Sequence, residues 1–132
     1  MRVLAREVAF KKIYESLFIS NDDMNILFDI ENLTNKEGQQ FASMLVDLYF
    51  QNKVEIEDKI KSNLKNYELD RIYKIDRAII SLAITEYFYY KQTPKPVIIN
   101  EAVDLAKRYG TDKSYSFVNG ILAVILKDDN GD

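Results

Sequence analysis

The run Asp76-Arg77-Ala78-Ile79-Ile80-Ser81-Leu82-Ala83-Ile84-Thr85-Glu86-Tyr87 constrains this chain more than any other stretch. From Ala78 to Ile84 only Ser81 is polar, so a helix here is apolar on every side and has to lie inside the molecule, with other segments packed round it. It is too short and too closely bounded by charge for a bilayer, which needs ~20 apolar residues. Its length and its leucine and alanine content argue against a buried strand.

With 132 residues the chain predicts one domain, 1–132, with a core that needs no staples. Four glycines and two prolines punctuate it rarely, which predicts long helices and short connections. Cysteine and histidine are both absent. That removes disulfides, Cys or His metal sites, thiol nucleophiles and any Ser-His or Cys-His catalytic pair. Glycines at 38, 110, 120 and 131 alone leave no P-loop or dinucleotide fingerprint. The expectation is therefore a protein without cofactor or metal. Met1 to Glu7 contains no apolar run of signal-peptide length, which with the missing cysteines predicts a cytoplasmic location and no membrane partner. A net charge of −3 is not that of a general nucleic-acid binder, so any RNA contact has to come from a local patch.

Helical spacing recurs along the chain. A first helix is expected over 3–20, with Ala9, Phe10, Ile13 and Leu17 on one stripe. Arg2 and Arg6 project onto the same stripe, so the apolar face turns basic toward the N-terminus. Glu7, Lys11 and Tyr14 share an adjoining face, with Glu7 and Lys11 spaced for an ion pair. Residues 21–34 read as a connection with a short helix around 24–30. Phe41, Leu45, Leu48, Ile56, Ile60 and Leu64 then keep one stripe for about eight turns, either as one helix or as two divided near Asn52-Lys53. Asp70 is placed to cap or begin the central helix. Pro94 and Pro96 end its run and start the next helix, whose stripe is Ile99, Ala102, Val103 and Ala106. Gly110, after Lys107-Arg108-Tyr109, is a C-terminal stop. Asp112 or Ser114 caps a last helix with the stripe Val118, Ile121, Leu122 and Ile125.

Four stretches resemble, in order and spacing, one known family. They are Ala5-Arg6-Glu7 with Tyr14, Asp76-Arg77-Ala78-Ile79, Ile99-Asn100-Glu101-Ala102-Val103-Asp104-Leu105-Ala106-Lys107, and Phe117-Val118-Asn119-Gly120. Together, from about residue 2 to about residue 126, they resemble the NusB family of bacterial transcription antitermination factors. The resemblance implies an all-α fold, a bundle of about six to seven helices in two packed subdomains, without enzymatic activity. It implies a complex with the small-subunit ribosomal protein NusE that reads boxA-type RNA in ribosomal RNA transcripts and hands it to RNA polymerase. It also admits a homodimer of the free protein.

Carried over position by position, the resemblance implies an RNA face of Arg2, Arg6, Lys11, Tyr14, Lys113, Ser114, Phe117 and Asn119, and a partner face around Asp76. The chemistry suits this, because cations neutralise phosphates, Tyr14 and Phe117 stack on splayed bases, and Asn119 bonds a base edge. Ordinary packing is the rival reading of Tyr14 and Phe117, an exposed helix start that of Arg2 and Arg6, and a weak surface pair that of Asp76-Arg77. The chain departs from the family pattern in having few N-terminal arginines, Ser81 where a basic residue is common, and Lys113 where acidic or neutral residues are common. Two other readings use the same fold: a freestanding relative of the N-terminal domain of ribosomal RNA cytosine methyltransferases, and a protein-only interaction domain. On the sequence alone, alanine at Arg6 or at Phe117 is expected to weaken RNA binding with little change in thermal unfolding, measured by anisotropy and calorimetry.

Overall fold

The structure is a computed structural model that describes residues 2–18, 33, 35–64 and 69–127. The expected connection over 21–34 lies, but for Leu33, outside the described residues. Six α-helices and no strand occur among those described: α1 (Arg2–Ser16), α2 (Lys36–Gln51), α3 (Lys53–Lys61), α4 (Lys74–Ile84), α5 (Lys95–Tyr109) and α6 (Ser114–Ile125). None of them is long and apolar enough to cross a membrane.

The centre of the molecule is α4, as the apolar run requires. Ala78 to Ile84 are all buried, Ser81 included. All five of the other helices touch α4, and their buried side chains form one cluster with it. Filling its surroundings with isoleucine and leucine contributes about 1.5–3 kcal/mol for each such side chain fully buried.

The long stripe from Phe41 to Ile60 is divided at Asn52. Its backbone leaves the helical region (φ −119°, ψ 22°), and its Nδ2 donates back to the Leu48 carbonyl at 2.9 Å. At the other end Asn35 caps α2, its Oδ1 accepting the Gly38 N–H at 2.8 Å. The first helix stops at Ser16, short of the expected residue 20, because the Ser16 hydroxyl takes the Ile13 carbonyl at 2.6 Å and the chain closes in tight turns through Phe18.

Three expectations are corrected here. Asp70 lies in a short 3-10 turn, Leu69–Arg71, and α4 begins only at Lys74. The buried face of α5 is Ile98, Ala102, Leu105 and Ala106; Ile99 and Val103 are half-buried on its flank. The central helix does not run unbroken to the prolines but widens into a π-helical turn, Thr85–Tyr90, closed by Lys91 in the left-handed region (φ 65°).

That wide turn brings Glu86 against α1. Arg6 and Glu86 form a two-pronged ion pair, Nε to Oε1 at 2.8 Å and Nη2 to Oε2 at 2.7 Å. Thr93 donates to Oε2 at 2.6 Å, and Glu101 stands 3.9 Å from Nη1. Arg6 is 6% exposed and Glu86 1%. Burial works to lower the Arg6 pKa, but the hydrogen bond and charge of Glu86, with Glu101, outweigh it and raise the pKa above the usual arginine value.

A buried pair with one partner removed leaves an uncompensated charge, at a loss of about 3–5 kcal/mol. Arg6→Ala is therefore expected to lower the unfolding free energy from urea titration by that order, with a lower midpoint, while Arg6→Met with Glu86→Leu loses much less. Equal midpoints for Arg6→Ala and wild type would show that the pair is not holding the fold.

Candidate nucleic-acid interface

The C-terminal end of α1 meets the start of α4 and the end of α5, and the start of α6 faces the turn before α4 across a cleft. Tyr14 and Phe18 stack edge to face at 4.8 Å, and Lys74 at the start of α4 lies 5.5 Å above the Phe18 ring. On the α5 side, Phe10 packs on Tyr109 with ring centres 5.2 Å apart, and the Lys11 ammonium is 5.3 Å from that ring. Aromatic faces and cations thus alternate, an arrangement suited to unpaired bases and their phosphates.

Glu7 organises this corner. Its carboxylate accepts from the Tyr109 hydroxyl and from Arg108 at 3.2 Å, and lies 3.6 Å from Lys11, the i,i+4 pair expected from spacing. Burial alone would raise its pKa, but the hydrogen bonds from Tyr109 and Arg108 hold it below the usual glutamate value.

Between α4 and α6 opens a cleft of about 410 Å³ lined by Arg71, Ile72, Tyr73, Asp76, Thr111, Lys113 and Phe117. Its shape follows from the α5–α6 turn. Gly110 closes α5 with its N–H on the Ala106 carbonyl, and its φ of −93° suits any residue. Space requires glycine there, since a Cβ would fall under 3.0 Å from the Ser114 side chain and the Ala106 oxygen. The expected caps are absent: Ser114 Oγ accepts the Thr111 N–H at 2.9 Å, and Thr111 Oγ1 accepts the Lys113 N–H at 3.2 Å.

The residues expected to form the RNA face separate into groups. Lys11, Tyr14, Lys113 and Phe117 lie in this corner, Lys113 exposed and the others half-buried. Arg2 is half-buried about 18 Å away along α1 from Tyr14. Its Nη1 donates to the Tyr90 hydroxyl at 3.1 Å, and its guanidinium stacks 4.2 Å above Phe41. Arg6 is corrected outright, because its guanidinium is buried and engaged by Glu86. Ser114 is also buried, its hydroxyl engaged by Thr111. Asn119 is exposed, but two residues on a helix turn it about 200° from Phe117, away from the cleft. Asp76 is no exposed acid offered to a partner: it is 6% exposed, on the cleft wall. Nor does it pair with Arg77, which is bound to Glu57 at 3.0 Å.

Sequence reading missed Arg71, Tyr73 and Lys74 at this site. The only available signal was their density of charge and aromatics just ahead of the buried helix.

Fold and site define an all-helical protein with a cationic, aromatic corner at the junction of four helices. Residues 3–127 match the model of the NusB family, and the chain belongs to that family. It is 38% identical over 126 residues to the transcription antitermination protein NusB of Finegoldia magna, covering 93% of this chain and 91% of that one. The solved structure of T. maritima NusB superposes with a TM-score of 0.86 at 31% identity, covering 97% of this chain and 92% of that one. A crystal structure of the antitermination factors NusB and NusE in complex with double-stranded RNA also gives 0.86, at 29% identity and 97% coverage of both chains.

Burial pushes the Asp76 carboxyl above its ordinary value of 3.8, a rise partly offset by the Ser114 hydrogen bond. A raised folded pKa means that this group's stabilisation is complete below pH 3.8 and is lost as pH climbs through the raised value. Asp76→Asn should accordingly melt with wild type at pH below 3.8 and above it at pH 7. A melting difference that stays constant with pH would contradict this.

Proposed function

We propose that this chain is a transcription antitermination factor that binds boxA-type RNA in ribosomal RNA transcripts together with ribosomal protein NusE, as a non-catalytic adaptor to RNA polymerase in the cytoplasm. The observation that carries this is the pairing of cations with rings at this end of the bundle: Lys11 over Tyr109, Lys74 over Phe18 beside Tyr14, and Arg71 and Lys113 lining a cleft with Tyr73 and Phe117. Cations at that spacing suit a backbone and the rings suit splayed bases. Family membership supplies the partner, since a related NusB was crystallised with NusE and RNA.

The electrostatics fit an adaptor better than a lone binder. The chain carries −3 overall, and Glu7 already holds Lys11 and Arg108. Only a few cations therefore face RNA, and a basic ribosomal protein beside them would supply more. Tethering also raises the effective concentration of each partner on the transcript. Nothing in the molecule favours the methyltransferase-related reading, as the family match extends over residues 3–127.

Anisotropy titrations of boxA-type RNA, with and without NusE, test the proposal. Phe117→Ala should weaken RNA binding by about tenfold or more, a lost base stack being worth about 1–3 kcal/mol. Lys113→Glu should make the slope of log affinity against log salt shallower by about 1. No gain in affinity on adding NusE would instead favour a protein-only interaction domain.

A further inference from the structure

We propose that the cleft between the turn before α4 and the start of α6 is a single-nucleotide pocket in which Asp76 selects an unpaired base bearing an amino group, adenine, cytosine or guanine, over uracil. This rests on the RNA-binding reading above and adds to it a residue that discriminates between bases.

The cleft wall holds an unmet acceptor. Asp76 is more than nine-tenths buried, and its Oδ1 has no hydrogen-bond donor. Ser114 Oγ accepts the Thr111 N–H at 2.9 Å and lies 3.3 Å from Thr111 Oγ1, and it makes no hydrogen bond to Oδ1. The adjacent cation, Arg77, is turned to Glu57 at 3.0 Å. A buried acceptor in this state gains from any donor that reaches it.

The rest of the cleft says which donor. Phe117 and Tyr73 supply ring faces, and Arg71 and Lys113 supply positive charge. A lysine or arginine from a protein partner would carry its charge in between two cations. A nucleotide brings an amino group for the acid, a flat ring for the aromatics and a phosphate for the cations. The volume, about 410 Å³, falls in the range of ~300–1,000 Å³ usual for small-ligand sites. Oδ1 itself is screened from solvent. Arg71 and Tyr73, both exposed, stand outside any α-helix, and rotations of exposed side chains are fast.

Discrimination follows from the acceptor. The amino groups of cytosine, adenine and guanine donate to a carboxylate. The pairing edge of uracil sets two carbonyls beside its one N–H, and both repel the acid. In Asp76→Asn an amide of the same shape replaces the carboxylate, and its nitrogen at the Oδ1 position turns the acceptor into a donor.

The test is a panel of short boxA-type RNAs, each position changed in turn to every other base, titrated by anisotropy against wild type, Asp76→Asn and Tyr73→Ala. In wild type, one position should prefer an amino-bearing base over uracil by about tenfold or more. Asp76→Asn should abolish or invert that preference at that position alone. Tyr73→Ala, at an exposed residue of the cleft, should weaken binding to every RNA without altering the preference, and undiminished binding by this variant would place the base outside the cleft and overturn the proposal. An unchanged base preference in Asp76→Asn overturns the proposal and leaves the RNA-binding reading standing. So does loss of NusE affinity with base preference intact, which would make the cleft a protein contact. If wild type binds none of the RNAs, both fall together.

Discussion

The architecture depends on two opposite charges placed where water does not reach. A guanidinium and a carboxylate are tolerated inside a protein only when each satisfies the other and the leftover donors and acceptors find partners. Arg6 and Glu86 meet this condition through two short bonds, with Thr93 on the carboxylate and Glu101 and the Phe41 ring beside the guanidinium. The four side chains Arg6, Glu86, Thr93 and Glu101 come from α1, the π turn, the segment before α5, and α5 itself. A pair with exacting geometry therefore fixes the angle at which α1 crosses the central helix. The widened turn after Ile84 sets Glu86 toward α1 and lets Tyr90 pack edge-on to Phe41 at 5.2 Å.

Orientation of α1 matters because its far end supplies one wall of the proposed RNA-binding corner. Residues Glu7, Lys11 and Tyr14 follow Arg6 within a little over two turns, so an anchor at Arg6 positions them nearly rigidly. Glu7 then fastens the end of α5 by holding Tyr109 and Arg108. An acid in the midst of a cationic corner looks self-defeating for RNA. Its use is geometric: it draws Arg108 and Lys11 along the surface and keeps the Tyr109 ring against Phe10. Local positive charge is reduced in exchange for order, consistent with a protein that shares RNA binding with a basic partner.

How far this was legible in the sequence depended on the range of the interaction that decided each feature. The buried state of Ala78 to Ile84 follows from seven consecutive residues and a helical period, and the structure has it. The same holds for the face of α6; the break at Asn52 is one of two readings of a continuous stripe, and the backbone there decides it. The Arg6 reading failed because its partner is eighty residues away. A stripe that turns basic is equally consistent with an exposed binding edge and with an internal ion pair, and only the position of Glu86 decides between them. The shift of the α5 face from Ile99 and Val103 to Ile98 and Leu105 has a similar origin. Both sets keep helical spacing, and packing against α4 and α6 chooses one. The π turn and the left-handed Lys91 had no local signal, since neither glycine nor asparagine marks them.

The cleft shows how a glycine with ordinary backbone angles can still be irreplaceable. At Gly110 the missing Cβ lets Ser114 come close to the end of α5, and that approach lets the Ser114 hydroxyl accept the Thr111 N–H at 2.9 Å. Beside it the Asp76 Oδ1 is left without a donor. The stop signal legible in the sequence thus helps to shape the cleft that Asp76 and Thr111 both line. Family resemblance placed Asp76 toward a protein partner and Phe117 toward RNA; the packing allowed by Gly110 sets both on one cleft, so a single ligand can address them together.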